Sequence, residues 1–159
     1  MSVLKYGRKA SFSGNCDSLV ILIHGYGADG TDLLGLANSL GQHMPNTVFV
    51  APDAPHKCQM NPSGREWFPI PWIDGSSEVD ARLVMEQAIN TTNIFIDDMI
   101  KAENVDINNT ILLGFSQGTM LSLHLAPRRD TALAGVVGFS GRLLEPESLE
   151  EEVKSKMPI

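Results

Sequence analysis

The residues best placed by type and spacing to do chemistry are Gly114-Phe115-Ser116-Gln117-Gly118. They match G-x-S-x-G, the pattern of a serine lifted onto a sharp strand-to-helix turn. The pentapeptide is short enough to arise by chance in about one chain in ten, so its context decides its weight. Thr110-Ile-Leu-Leu just before it reads as a buried strand, and the residues from Gln117 to Ala126 read as a helix ending before Pro127. A hydroxyl on such a turn stands clear of the sheet, and a side chain at position 114 or 118 would collide with the packed backbone. The strain costs about 1–3 kcal/mol and persists where a function needs it. The helix that follows offers its positive end and the free N–H of Gln117 to a developing oxyanion. The plainer alternative is a serine that caps a glycine-rich helix entry.

A second donor for the same oxygen is available from His24-Gly25-Tyr26-Gly27-Ala28-Asp29-Gly30, which follows another apolar run. Its three glycines let the backbone bend back over the sheet, so the N–H of Tyr26 can join that of Gln117 in an oxyanion hole. Losing one such donor typically lowers a rate roughly 10²–10³-fold. The alternative is an ordinary strand-to-helix turn. Gly25-Tyr26-Gly27-Ala28-Asp29-Gly30 has the G-x-G-x-x-G spacing, a weak signal on its own; G-x-x-x-x-G-K-[ST] does not occur, and phosphate cradling is not expected.

These loops must be held by a framework. Four apolar runs, Leu19 to Ile23, Thr47 to Ala51, Thr110 to Gly114 and Ala134 to Phe139, do not alternate polar with apolar and are apolar on both faces, as strands between two helical layers are. Helical stripes fall between them. Leu33, Leu34, Leu36, Ala37 and Leu40 follow Thr31 and Asp32 as N-cap candidates, and Val79, Leu83, Ala88, Ile89, Ile96 and Ile100 recur at helical spacing. Strands alternating with helices imply an α/β fold with a mostly parallel sheet. The stretch from Pro52 to Gly75, rich in Pro and aromatics, is the one long irregular excursion.

The 159 residues fit a single domain, and 43% are apolar, enough for a core. Twelve Lys and Arg against 19 Asp and Glu leave a net charge of −7, which argues against nucleic acid or an anionic membrane as partner. No apolar stretch nears the ~20 residues of a membrane span. Residues 1–15 lack the pattern of a secretion signal, and Cys16 and Cys58 are too few for a disulfide framework, so a cytoplasmic protein is expected. No metal motif and no P-loop are present, and no cofactor is expected.

Taken together, Ile23-His24-Gly25-Tyr26-Gly27-Ala28-Asp29, Ala51-Pro52-Asp53-Ala54-Pro55, Trp67-Phe68, Leu113 to Gly118 and Gly138-Phe139-Ser140-Gly141 resemble, in order, the carboxylesterase/phospholipase family of α/β-hydrolases that includes the acyl-protein thioesterases. The resemblance covers almost the whole chain. It implies a three-layer α/β-hydrolase sandwich with Ser116 as nucleophile, Tyr26 and Gln117 as oxyanion hole, and Trp67 in the acyl or alcohol pocket. The chain departs at Thr119, where members usually carry Gly or Ala, and a branched side chain there is expected to crowd the turn.

The resemblance also implies two further strands carrying a triad Asp and His, and the sequence reaches Ile159 where the first of these is expected. A C-terminally truncated domain lacking the last two strands is therefore expected. None of the four histidines substitutes readily. His124 lies eight residues along the helix, roughly 12 Å away at 1.5 Å per residue. His24 is expected to hold the Tyr26 loop, His43 to be solvated at a helix end, and His56, on the excursion, is the least remote stand-in. Asp29 and Asp53 are expected in caps and turns, and Ser140 lacks the second spaced glycine. A serine without its base keeps roughly 10³–10⁴-fold catalysis over water.

Three readings follow: a serine esterase or thioesterase of small acyl substrates, impaired by the missing triad members; a non-catalytic remnant that binds acyl ligands or partners; or one piece of a longer product. The strand Ala134 to Phe139 carries no edge protection, so two copies are expected to pair there as a homo-oligomer. Residues Leu143 to Val153, rich in Glu, are expected to form a solvated helix with Leu149 and Val153 on a narrow apolar stripe.

Overall fold

The computed structural model describes residues 4–159. The expected apolar runs form four parallel strands: β2 (Ser18–Ile23), β3 (Thr47–Pro52), β6 (Thr110–Phe115) and β7 (Gly135–Phe139). A further strand, β1 (Tyr6–Lys9), joins the sheet antiparallel to β3. Largely exposed and polar, β1 has no apolar signature, and its ladder with β3 defines it. The order is β1-β3-β2-β6-β7.

Helices cover both faces. Leu19, Ile21 and Ile23 pack with Phe95, Ile96, Leu121 and Leu125, from α4 (Glu78–Glu103) and α5 (Gln117–Leu125). Val20 and Leu22 pack with Ala37, Phe49 and Leu113 under α1 (Gly30–Leu34) and α2 (Leu36–His43). Strand residues therefore alternate between two apolar faces, which is why the sequence shows no polar alternation. This is an α/β-hydrolase-like architecture.

Three local expectations need correction. The N-cap of α1 is Asp29, two residues upstream of Thr31. Its carboxylate accepts from the N–H of Thr31 and Asp32, and Asp32 caps the Asp29 N–H in return. The stripe from Leu33 to Leu40 is divided at Gly35 into α1 and α2. The Glu-rich helix near the C-terminus is shorter than expected: α6 (Pro146–Glu152) starts at Pro146, a residue whose missing N–H suits the first helical turn.

The excursion over residues 52–75 is built from a two-strand hairpin and a short helix. β4 (His56–Lys57) pairs with β5 (Arg65–Glu66), and α3 (Pro71–Asp74) follows. At the sheet edge, Val137 and Phe139 of β7 are 41% and 52% exposed. The edge is not wholly open as expected, because the Val136 N–H donates to the Pro158 carbonyl at 2.9 Å.

The chain runs β2 to β3 on one side of β2, then crosses through α4 to β6 on its other side. The sheet order therefore reverses between β2 and β6, and the crevice at the C-terminal ends of these two strands is where open α/β sheets bind ligands. Ile23 pairs with Gly114, so the loops bearing Tyr26 and Ser116 leave the sheet at the same level.

Candidate active site

Ser116 adopts φ 52° and ψ −112°, a left-handed conformation that an L side chain rarely takes. Its N–H donates to the Phe139 carbonyl at 2.8 Å, and its own carbonyl accepts from Thr119 and Met120. The hydroxyl makes no capping bond, which sets aside the helix-cap alternative. The glycines on either side are sterically required. A Cβ on Gly118 would stand 2.0 Å from the Ile23 carbonyl oxygen, and one on Gly114 would stand 2.6 Å from Gly118 backbone. Each is a collision with main chain, which cannot swing away.

The Tyr26 loop lies against this turn. A Cβ on Gly25 would be 3.3 Å from Ser116 Cβ. Gln117 is the first residue of α5, so its N–H has no acceptor within the helix. The loop itself is fastened at several points. Gly27 N–H donates to Arg65 O and Arg65 N–H to Ala28 O, both at 2.8 Å, while Asn61 Nδ2 donates to Gly27 O at 2.8 Å. Only glycine fits at 64, where a Cβ would be 1.9 Å from that same Gly27 oxygen. The Tyr26 hydroxyl donates to Asp74 Oδ2 at 3.1 Å. Burial, with the Glu66 and Asp74 carboxylates beside it, holds the Tyr26 phenol protonated well above the usual tyrosine range.

His24 keeps the loop role expected of it. Its Nε2 accepts the Ala54 N–H at 3.0 Å, so Nδ1 carries the proton and donates to Gly25 O at 2.8 Å. Burial lowers its pKa, and the ring is neutral. Asp53 and Asp29 serve turns and caps as expected: Asp53 Oδ1 accepts the Gly30 N–H at 3.0 Å. His43 is exposed at the end of α2. His124 is buried, accepts from Arg128 at Nδ1 and bonds the Leu144 carbonyl through Nε2. His56, exposed in β4, sits in register with Glu66 and has no described contact with Ser116.

Trp67 is where the structure departs most from expectation. It is fully buried, donates from Nε1 to the His24 carbonyl at 3.0 Å, and lies 5.3 Å from the His24 ring. Its backbone N–H donates to Gln117 Oε1 at 2.9 Å, and Gln117 Nε2 donates to Phe68 O at 2.6 Å. The indole lies against the His24 loop and is not in the wall of the neighbouring cavity. The 250 Å³ cavity beside the turn has the next aromatics, Phe68 and Trp72, in its walls instead. Composition does not separate Trp67 from Trp72; the Gln117 clamp on its backbone and the His24 carbonyl on its indole, at separations of 50 and 43 residues, hold Trp67 inward.

Thr119 also differs from expectation. Its methyl occupies space left by two glycines, for a Cβ on Gly138 or Gly141 would meet Thr119 side-chain atoms at 2.6 Å or 2.3 Å. Rather than crowding the turn, its hydroxyl lies 2.8 Å from Gly114 O, within reach to donate, and accepts the Phe139 N–H at 3.0 Å. It joins the ends of β6 and β7, the strand whose Phe139 carbonyl receives the Ser116 N–H.

A strand-end serine on a strained turn, facing a second glycine-rich loop at the sheet's reversal point, defines an α/β-hydrolase site by class. The profile of the phospholipase/carboxylesterase family matches residues 10–159, and the chain belongs to that family. Among curated relatives it is 35% identical over 133 residues to acyl-protein thioesterase 1 of Cryptococcus neoformans, a match covering 76% of this chain and 52% of the relative. The chain thus spans about half the length of that relative. Among solved structures, esterase PE8 superposes with a TM-score of 0.90 at 40% identity, covering 98% of this chain and 72% of the other. The Bacillus cereus carboxylesterase superposes with a TM-score of 0.70 at 19% identity, over 89% of this chain and 61% of the other, a likeness of fold.

Proposed function

We propose that this chain carries the acylation half-site of a serine hydrolase acting on carboxylic esters or thioesters. Ser116 Oγ attacks the carbonyl carbon and gives its proton to solvent water, the N–H groups of Tyr26 and Gln117 stabilise the resulting oxyanion, and collapse expels the alcohol or thiol, which takes a proton from water, to leave an acyl-serine. The observation that carries this reading is the positive-φ Ser116 between two glycines that tolerate no side chain, with its hydroxyl uncapped. Proton transfer is the slow part. His24 and His124 are engaged elsewhere, and neither His43 nor His56 has a described contact with Ser116, so the reading includes impaired turnover. A fluorophosphonate probe tests the nucleophile directly. Labelling of the chain, abolished in Ser116→Ala, supports the reading; equal labelling of the two proteins overturns it.

The same accounting of histidines favours a second reading, a non-catalytic domain that binds acyl ligands. Hydrolysis of p-nitrophenyl butyrate separates the two, since a binding domain gives equal slopes with Ser116 and with Ser116→Ala. As partner for the exposed Val137 and Phe139 edge of β7, the reading includes a second copy of this chain. A clean monomer by light scattering across concentrations would remove that part.

A further inference from the structure

The wall of the cavity is tied to the Ser116 turn at two points. Phe68, in its wall, is bonded through its carbonyl to Gln117. Arg142, also in its wall, follows Gly141, where a Cβ would lie 2.9 Å from the Ser116 carbonyl. At 250 Å³ the cavity is slightly under the roughly 300 Å³ at which small-molecule sites begin, so it suits a short chain. Phe68, Pro71, Met85 and Leu144 give it apolar surface for methylenes.

Its charges are unevenly satisfied. Arg82 and Glu145, both on the wall, pair at 2.5 Å. Glu78 stands in the first turn of α4, where the helix dipole meets its charge. Arg142 forms no ion pair and donates no hydrogen bond among the described residues. Its guanidinium is held 4.0 Å over the ring centre of Trp72. Stacking on an indole fixes a long side chain in place, while its N–H donors stay available for a planar or tetrahedral anion.

Resting on the hydrolase reading above, we propose that Arg142 selects acyl substrates bearing an anionic group at the far end from the ester, the chain lying along Phe68 and Leu144 and the carboxylate or phosphate meeting the guanidinium over Trp72. Because Arg142 is solvated, its contribution is modest, about fivefold in affinity for the charged over the neutral ligand.

Binding to Ser116→Ala protein reads this without turnover. Monoethyl adipate, hexyl phosphate and neutral diethyl adipate are titrated by calorimetry and by tryptophan fluorescence, at low and at high salt. The expected result is about fivefold tighter binding of an anion than of the diester, reduced by salt, retained in part by Arg142→Lys and lost in Arg142→Gln. The tighter of the two anions identifies the group recognised. Equal affinity for charged and neutral ligands, or a preference that survives Arg142→Gln, overturns the proposal. Fluorophosphonate labelling of the unmutated Ser116 is run beside it. Labelling without anion preference defeats this inference alone, and anion preference without labelling defeats the hydrolase reading on which it rests.

Discussion

Ser116 has two unlike flanks. On one, the Tyr26 loop is fastened by the Arg65 ladder, Asn61, the Tyr26–Asp74 bond and neutral His24, with Trp67 wedged beneath. On the other, the end of β7 and residues 140–145 are largely exposed and attached by Thr119 at Phe139, His124 at the Leu144 carbonyl and the Arg82–Glu145 pair. The difference follows what each flank would have to do. Oxyanion donors stabilise a transition state only if they are already in place, since any reorganisation is subtracted from their effect. A surface proposed to receive a substrate chain has no such demand, and the stack of Arg142 on Trp72 lies there exposed.

The contrast can be broken at several depths. The largest effect is expected from Gly118→Ala, which forces a methyl into the Ile23 carbonyl; we expect a loss above about 4 kcal/mol, seen in calorimetry as a Tm lowered by at least about 10 °C. Gln117→Ala strands the Trp67 N–H and the Phe68 carbonyl in the interior, for about 2–3 kcal/mol by urea unfolding. On the weaker flank, Thr119→Val keeps the shape but leaves the Phe139 N–H unsatisfied. About 1–2 kcal/mol is expected, together with slower fluorophosphonate labelling of Ser116, because Phe139 holds the Ser116 N–H. Labelling at the normal rate would show that β7 does not position the serine.

The smallest effect is a pH dependence shared by both flanks. Burial lowers the pKa of His24 and of His124 from 6.5, so the unfolded chain binds protons that the folded one refuses. Their contribution is complete above about pH 6.5 and falls as pH drops towards the folded values, by at most about 1.4 kcal/mol per pH unit for each ring. Melting curves through that window should show Tm falling with acidity, and His124→Gln should flatten the slope. A Tm that rises on acidification would contradict the neutral rings.

The four central strands, the long helix and the Ser116 turn were legible because each depends on local pattern: apolar runs bounded by glycine, a 3.6-residue stripe, a strained pentapeptide. The roles of Asp29, as a cap, and of His24, on the carbonyl of Gly25, were legible for the same reason, though the partners Gly30 of Asp53 and Ala54 of His24 lie 23 and 30 residues away. What stayed hidden is long-range. β1 is a strand only because β3 offers it an edge. The excursion over residues 52–75 reads as irregular, yet its Arg65 and Asp74 are what hold the Tyr26 loop. Trp67 and Trp72 are the same residue type five positions apart, and the Gln117 clamp together with the His24 carbonyl holds the first of them in the core. Arg142 carries no motif at all.

The fit of the Thr119 methyl against Gly138 and Gly141 constrains how this sequence can change over time. A side chain at 138 is barred while threonine is present and becomes tolerable once it shrinks to alanine or glycine, whereas one at 141 would still meet the Ser116 carbonyl. Substitutions at 119 and 138 are thus order-dependent: the double change is reachable through one intermediate and closed through the other, and their measured stabilities should not add.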